Sequence, residues 1–167
     1  MWEGRFIKAV RDGRWEYVSR ARGICAVVIL AETAEGEMIL VEQDRVPIGR
    51  RCLELPAGLV GDEEAGEGDT VEAAAMRELE EETGYRPGWI ERLGDFYSSP
   101  GMVSEAFTLV RAHDPVKVGE GGGTAHENIR VHCVPRADIA SFIADKRADG
   151  IGIDVKLLLL LGANILG

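Results

Sequence analysis

The stretch Arg77-Glu78-Leu79-Glu80-Glu81-Glu82-Thr83-Gly84-Tyr85 decides how this 167-residue chain is read. Leu79, with Val71, Ala74 and Ala75 before it, falls at helical spacing, so the pattern predicts a helix over 70–83 that Gly84 stops. On that helix Glu78, Glu81 and Glu82 stand at i, i+3 and i+4, and their carboxylates share one face. Like charges at this spacing destabilise a helix by roughly 0.2–0.5 kcal/mol per pair. Anions near the helix C-terminus also oppose its dipole. A helix that accepts both costs calls for a cation. Hard oxygen donors without Cys or His suit Mg²⁺ or Mn²⁺, which pair carboxylates with substrate phosphates. The plain alternative is a solvated acidic face. Against it stand Arg77 before the cluster, Gly84 after it and the lead-in Leu53-Glu54-Leu55-Pro56-Ala57-Gly58. An EF-hand loop fails, because counting from Asp62 puts Glu67 and Ala73 at its glycine and final glutamate positions.

Outward from the helix, charge is concentrated. Residues 62–82 hold ten acids against Arg77, a balance of −9, whereas the whole chain carries −10. The remainder is therefore close to neutral, and the total argues against non-specific nucleic-acid binding. No apolar run approaches the ~20 residues that span a bilayer, and the start does not read as a signal peptide, so a cytoplasmic protein is expected. Cys25, Cys52 and Cys133 have no metal or redox spacing and are expected to be buried small hydrophobes.

The rest of the pattern is strand-rich. Arg5 to Val10 and Arg14 to Val18 flank Asp12-Gly13, a hairpin signal. Ile24 to Ala31 reads as a buried strand, and Met38 to Gln43, Arg51 to Leu55, Ile90 to Tyr97, Glu105 to Ala112 and Ile129 to Val134 read as further strands. A second helix is expected over 136–147, and a third, apolar on all sides and buried, over 154–161. Asp69, with Glu72 after it, is the expected cap of the central helix. Together these give an α+β layered fold in one domain, 1–167, with the hairpin over 1–20.

Arg77 to Tyr85 resembles the second half of the Nudix box, R-E-U-x-E-E-x-G-U. The first half departs: Gly58 lies five residues too early, which reads as an insertion within Val60 to Gly66, and Asp69 stands in the place of a glutamate. Glu42-Gln43-Asp44-Arg45, Ser99-Pro100-Gly101 with Glu105, and His126-Glu127-Asn128-Ile129-Arg130-Val131 are similar to the branch acting on ADP-ribose and other nucleoside diphosphate sugars. The resemblance implies an α/β/α sandwich with a mixed sheet and a homodimer with exchanged N-terminal strands. It also implies metal-dependent attack of water on a pyrophosphate, releasing a nucleoside monophosphate and a sugar phosphate.

By the same resemblance Glu78, Glu81 and Glu82 hold Mg²⁺ (Mn²⁺ as substitute) with the Ala57 carbonyl. Glu127 serves as ligand or general base, Glu81 is the other candidate base, and Arg77 pairs with a helix carboxylate. Arg45, Glu105 and Gly58 are expected to meet the substrate. Ala125 stands where relatives often carry a further acid, and His126 is a lesser candidate base. Gly121-Gly122-Gly123 lacks the lysine and helix of a P-loop and reads as a flexible loop that lets Glu127 approach. A GDP-mannose hydrolase is the nearest rival reading, and a non-catalytic nucleotide-sensing domain is the rival of another class.

Overall fold

The Asp12-Gly13 turn closes β2 (Ile7–Asp12) on β3 (Trp15–Arg20), with Asp12 opposite Trp15 and β1 (Trp2–Glu3) paired outside β2. Gly13 takes the left-handed φ of 56° that this tight connection needs. The computed structural model describes residues 2–21, 25–61, 70–123 and 127–162. Asp69, His126, the start of the expected strand at Ile24 and most of the expected insertion lie outside them. The hairpin leaves Trp2, Phe6 and Trp15 exposed and joins the body through Val18, whose amide donates to Met102 O at 2.9 Å.

The apolar run becomes β4 (Cys25–Ala31), central in a four-stranded sheet. It is flanked by β7 (Ala57–Val60), antiparallel, and β10 (Ala106–His113), parallel, with β9 (Trp89–Tyr97) outside β10. A second sheet runs in the order β12 (Arg130–Pro135), β5 (Glu37–Arg45), β6 (Arg50–Glu54), β13 (Gly152–Ile153). Here β13 pairs parallel to β6 and the other pairs are antiparallel. A small ladder joins β8 (Tyr85–Arg86) to β11 (Val116–Lys117).

Alternate residues of β4 serve two cores, as the strand period requires. Val27, Ile29 and Ala31 pack with Ala74, Ala75 and Leu79 of α1 (Val71–Thr83). Val28 and Leu30 pack with Leu53, Leu55 and Leu157, and with Ile139 and Ile143 of α2 (Ile139–Ala148). This is the mixed-sheet α+β sandwich expected.

Three details differ from the sequence reading. Thr70 caps α1, its hydroxyl accepting from Ala73 N at 3.1 Å. The C-terminal helix is a 3-10 turn, Val155–Leu160, with Leu157 packed in the core but Val155 and Leu158 exposed, so only one face of it is buried. Cys25 sits exposed at a strand start, while Cys52 is buried, and burial pushes its thiol up to about 12.

Candidate active site

Helix α1 brings its acids to the start of β7. Glu82 is 4% exposed, and its Oε2 accepts a hydrogen bond from Ala57 N at 3.1 Å. Gly58 follows, where any β-carbon would overlap the Glu78 side chain, so a larger residue there would displace that carboxylate. Arg77 Nη2 donates to Glu78 Oε1 at 3.1 Å and to Leu59 O at 3.3 Å, joining helix to strand. Glu81 is exposed on the same helix. Glu80 points elsewhere and takes a two-pronged ion pair from Arg86.

The glycine loop is a backbone clamp rather than a free tether. Gly122 N donates to Glu82 O at 2.8 Å and Gly123 N to Glu81 O at 2.9 Å, satisfying carbonyls that the helix end leaves unpaired. A β-carbon at Gly121 would lie 2.6 Å from Gly84 N, so the loop can press against the helix end. The expectation that these glycines supply flexibility is corrected by those bonds. Beyond the clamp, the Glu127 carboxylate lies beside Gly123 and acts electrostatically on Glu82.

Burial, reinforced by the charges of Glu78 and Glu127, pushes Glu82 up to about 8, against the Ala57 hydrogen bond and the charge of Arg45. Arg45 donates through Nε and Nη2 to Glu54, both at 2.7 Å, and this pairing raises its own pKa. Arg45 is therefore within electrostatic reach of the acid cluster but held by a buried neighbour. Glu105 is ion-paired to Arg20 of the hairpin. The structure thus gathers Glu78, Glu82, Glu127, Arg77, Arg45, Ala57 and Gly58, with Glu81 on the same helix. Among the described residues Glu105 pairs with Arg20 and makes no hydrogen bond or ion pair with that group.

Glu54, Arg51 and Asn128 were not singled out in the sequence. For Glu54 the available signal was an acid inside an apolar strand, Cys52-Leu53-Glu54-Leu55. A cavity of about 510 Å³, bordered by Glu32, Arg111, His113 and Arg136, shares no residue with the acid cluster.

A divalent cation fits this donor set. Glu82 is a buried carboxylate facing two further carboxylates, and a hard, oxygen-seeking ion would remove the repulsion that raises its pKa. Among the described residues no three such side chains form a closed cage; Glu78 is bonded to Arg77 and Glu82 to the Ala57 amide.

A NUDIX domain model matches residues 20–150. This chain belongs to the Nudix hydrolase family. An ADP-ribose pyrophosphatase of Bacillus subtilis (strain 168) is 44% identical over 89 residues, covering 53% of this chain and 45% of that protein. A GDP-mannose pyrophosphatase of Yersinia pestis (strain Pestoides F) is 31% identical over 95% of this chain and 76% of its own length. The crystal structure of an ADP compounds hydrolase superposes with a TM-score of 0.67 over 93% of this chain and 89% of its own, at 21% identity, which shows that the two share a fold. The matched residues include α1, and the cluster around Glu82 sits at the C-terminal end of that helix.

Proposed function

We propose that this Nudix hydrolase cleaves the pyrophosphate bond of ADP-ribose or a related nucleoside diphosphate sugar, giving a nucleoside monophosphate and a sugar phosphate. The observation that carries the reading is Glu82, a buried carboxylate beside Glu78 and Glu127 at the end of the family's helix. The relatives named for ADP-ribose and GDP-mannose support the substrate class.

Glu78, Glu81, Glu82, Glu127 and the Ala57 carbonyl would hold Mg²⁺, or Mn²⁺ in its place. When bound, the metal neutralises the diphosphate and makes water a competent nucleophile. Glu127 accepts the proton of the attacking water, with Glu81, exposed on the helix, as the other candidate. Arg77 holds Glu78 in place. Arg45 offers its guanidinium to a phosphate beyond its bond to Glu54, and Gly58 leaves room for the chain to approach.

The −10 charge leaves nucleic acid an unfavourable partner. The chain works as one domain, 1–167, in the cytoplasm. Among the described residues no helix is long and apolar enough to cross a membrane. The exposed Trp2, Phe6 and Trp15 of the hairpin favour a homodimer in which a second copy covers them.

The test is monophosphate release with Mg²⁺ from ADP-ribose, GDP-mannose, ADP-glucose, NADH and nucleoside triphosphates. Cleavage of ADP-ribose supports the reading. A GDP-mannose preference keeps the chemistry and replaces the substrate, and binding without turnover of any of them overturns the enzyme.

A further inference from the structure

Glu127 lies between two anchors, the Gly122-Gly123 clamp and Asn128. Upstream, the Gly122 and Gly123 amides are bonded to the Glu82 and Glu81 carbonyls, so this end follows the helix. Downstream, the next residue, Asn128, is held at φ +50°, a left-handed conformation that asparagine tolerates better than most residues but that still needs support. Two side chains of the second sheet supply it. Arg51 Nη2 donates to Asn128 O at 3.0 Å, and Asn128 Nδ2 donates to Asp44 Oδ2 at 3.2 Å.

Arg51 is itself held by several acceptors. Its Nε donates to Glu42 Oε1 at 2.7 Å, its Nη2 to Glu42 O at 2.6 Å, and its Nη1 to Asp44 Oδ2 at 3.4 Å. Glu42 is 1% exposed and also takes bonds from Lys146 at 2.6 Å and from His132 at 3.1 Å. A buried ion cluster drawn from β5, β6, β12 and α2 therefore ends in one guanidinium N–H pointing at the backbone beside Glu127.

We propose that Arg51, steadied by Glu42 and assisted by Asp44, is a positioning residue that sets where the Glu127 carboxylate stands through its hydrogen bond to the Asn128 carbonyl. This rests on Glu127 acting at the diphosphate, as argued above. A side chain that orients a catalytic carboxylate without touching substrate should alter turnover rather than substrate affinity, because misplacement of an ångström is felt in the transition state.

The full chain is assayed with Mg²⁺ and both ADP-ribose and GDP-mannose. Arg51→Gln is expected to lower kcat about 10–100-fold with KM changed less than about 2-fold. In a Glu127→Gln background the same change is expected to cost less than about 2-fold more, because the group it positions is already gone. Multiplicative losses, or a rise in KM with kcat unchanged, overturn the proposal. Asp44→Ala removes the exposed support and leaves the Glu42–Arg51 bond intact; it keeps the test open if Arg51→Gln does not fold, and its expected kcat loss is about 3–10-fold.

Hydrogen exchange of the metal-free protein gives a readout independent of turnover. The Ile129 and Arg130 amides are expected to exchange at least about 10-fold faster in Arg51→Gln and Asp44→Ala than in the unmodified chain. Unchanged exchange overturns the proposal. A chain that cleaves neither substrate overturns the catalytic reading, and exchange still decides whether Arg51 holds the loop.

Discussion

Glu42 and Glu82 are both buried glutamates, and their surroundings are opposite. Burial alone would raise Glu42, yet hydrogen bonds from Lys146, Arg51 and His132 and the charge of Lys146 outweigh it and hold it at about 2. Burial raises Glu82 as well, and there Glu78 and Glu127 add to the shift and bring it to about 8. One site is neutralised from within the chain. The other concentrates negative charge where the chain supplies few cations, which is the arrangement expected of a site completed by a metal and a phosphate. His132, lowered by burial and by the charge of Lys146, belongs to the first site, where its ring donates to the Glu42 carboxylate.

The contrast is tested first on turnover. Glu78→Gln and Glu82→Gln are expected to lower kcat on the order of 10³-fold with the fold retained, read by steady-state kinetics beside circular dichroism. Full activity in both would remove the acid cluster from the mechanism.

Stability gives the next largest effect. Glu42→Gln leaves Lys146 and Arg51 without their anion and is expected to cost roughly 3 kcal/mol in urea unfolding at pH 7. Glu82 takes up a proton on folding at pH 7, which costs stability, and Glu82→Gln removes that requirement and should raise the stability of the metal-free protein by roughly 1–3 kcal/mol. Equal signs for the two substitutions would break the comparison.

The pH dependence has the same opposite signs. The contribution of Glu82 is complete below about 4.5, where both folded and unfolded states carry the proton, and is lost as pH rises toward about 8. That of Glu42 is present above about 4.5 and is lost as pH falls toward about 2. Thermal melts of the metal-free protein across pH 3–9 should show the upper limb flatten in Glu82→Gln and the lower limb flatten in Glu42→Gln. The smallest signal is a proton. Mg²⁺ binding at pH 7 should release close to one proton from Glu82 and almost none near pH 9, measured by calorimetry in buffers of different ionisation enthalpy.

Much of this was readable in the chain. The hairpin turn, the strand from the apolar run before Ala31, the central helix and its glycine stop follow from short-range rules that hold wherever the segment is placed. The acids at i, i+3 and i+4 announced a shared face because helix geometry is the same in every context. What depended on neighbours was misread or missed. The cap fell on Thr70 rather than Asp69, since a one-residue shift in helix start is invisible to pattern. Gly121 to Gly123 read as flexible because their freedom is local, whereas their partners, the carbonyls of Glu81 and Glu82, lie some forty residues away.

The sequence by itself determined the acidic helix and pointed to the family, because the half of the box that it resembles is written within nine consecutive residues. Only the tertiary structure decided which glutamate is buried beside its like and which beside Arg51 and Lys146. Glu42 and Glu82 are the same side chain, and what separates them is the dielectric and the charges brought near by distant segments, which no local spacing encodes.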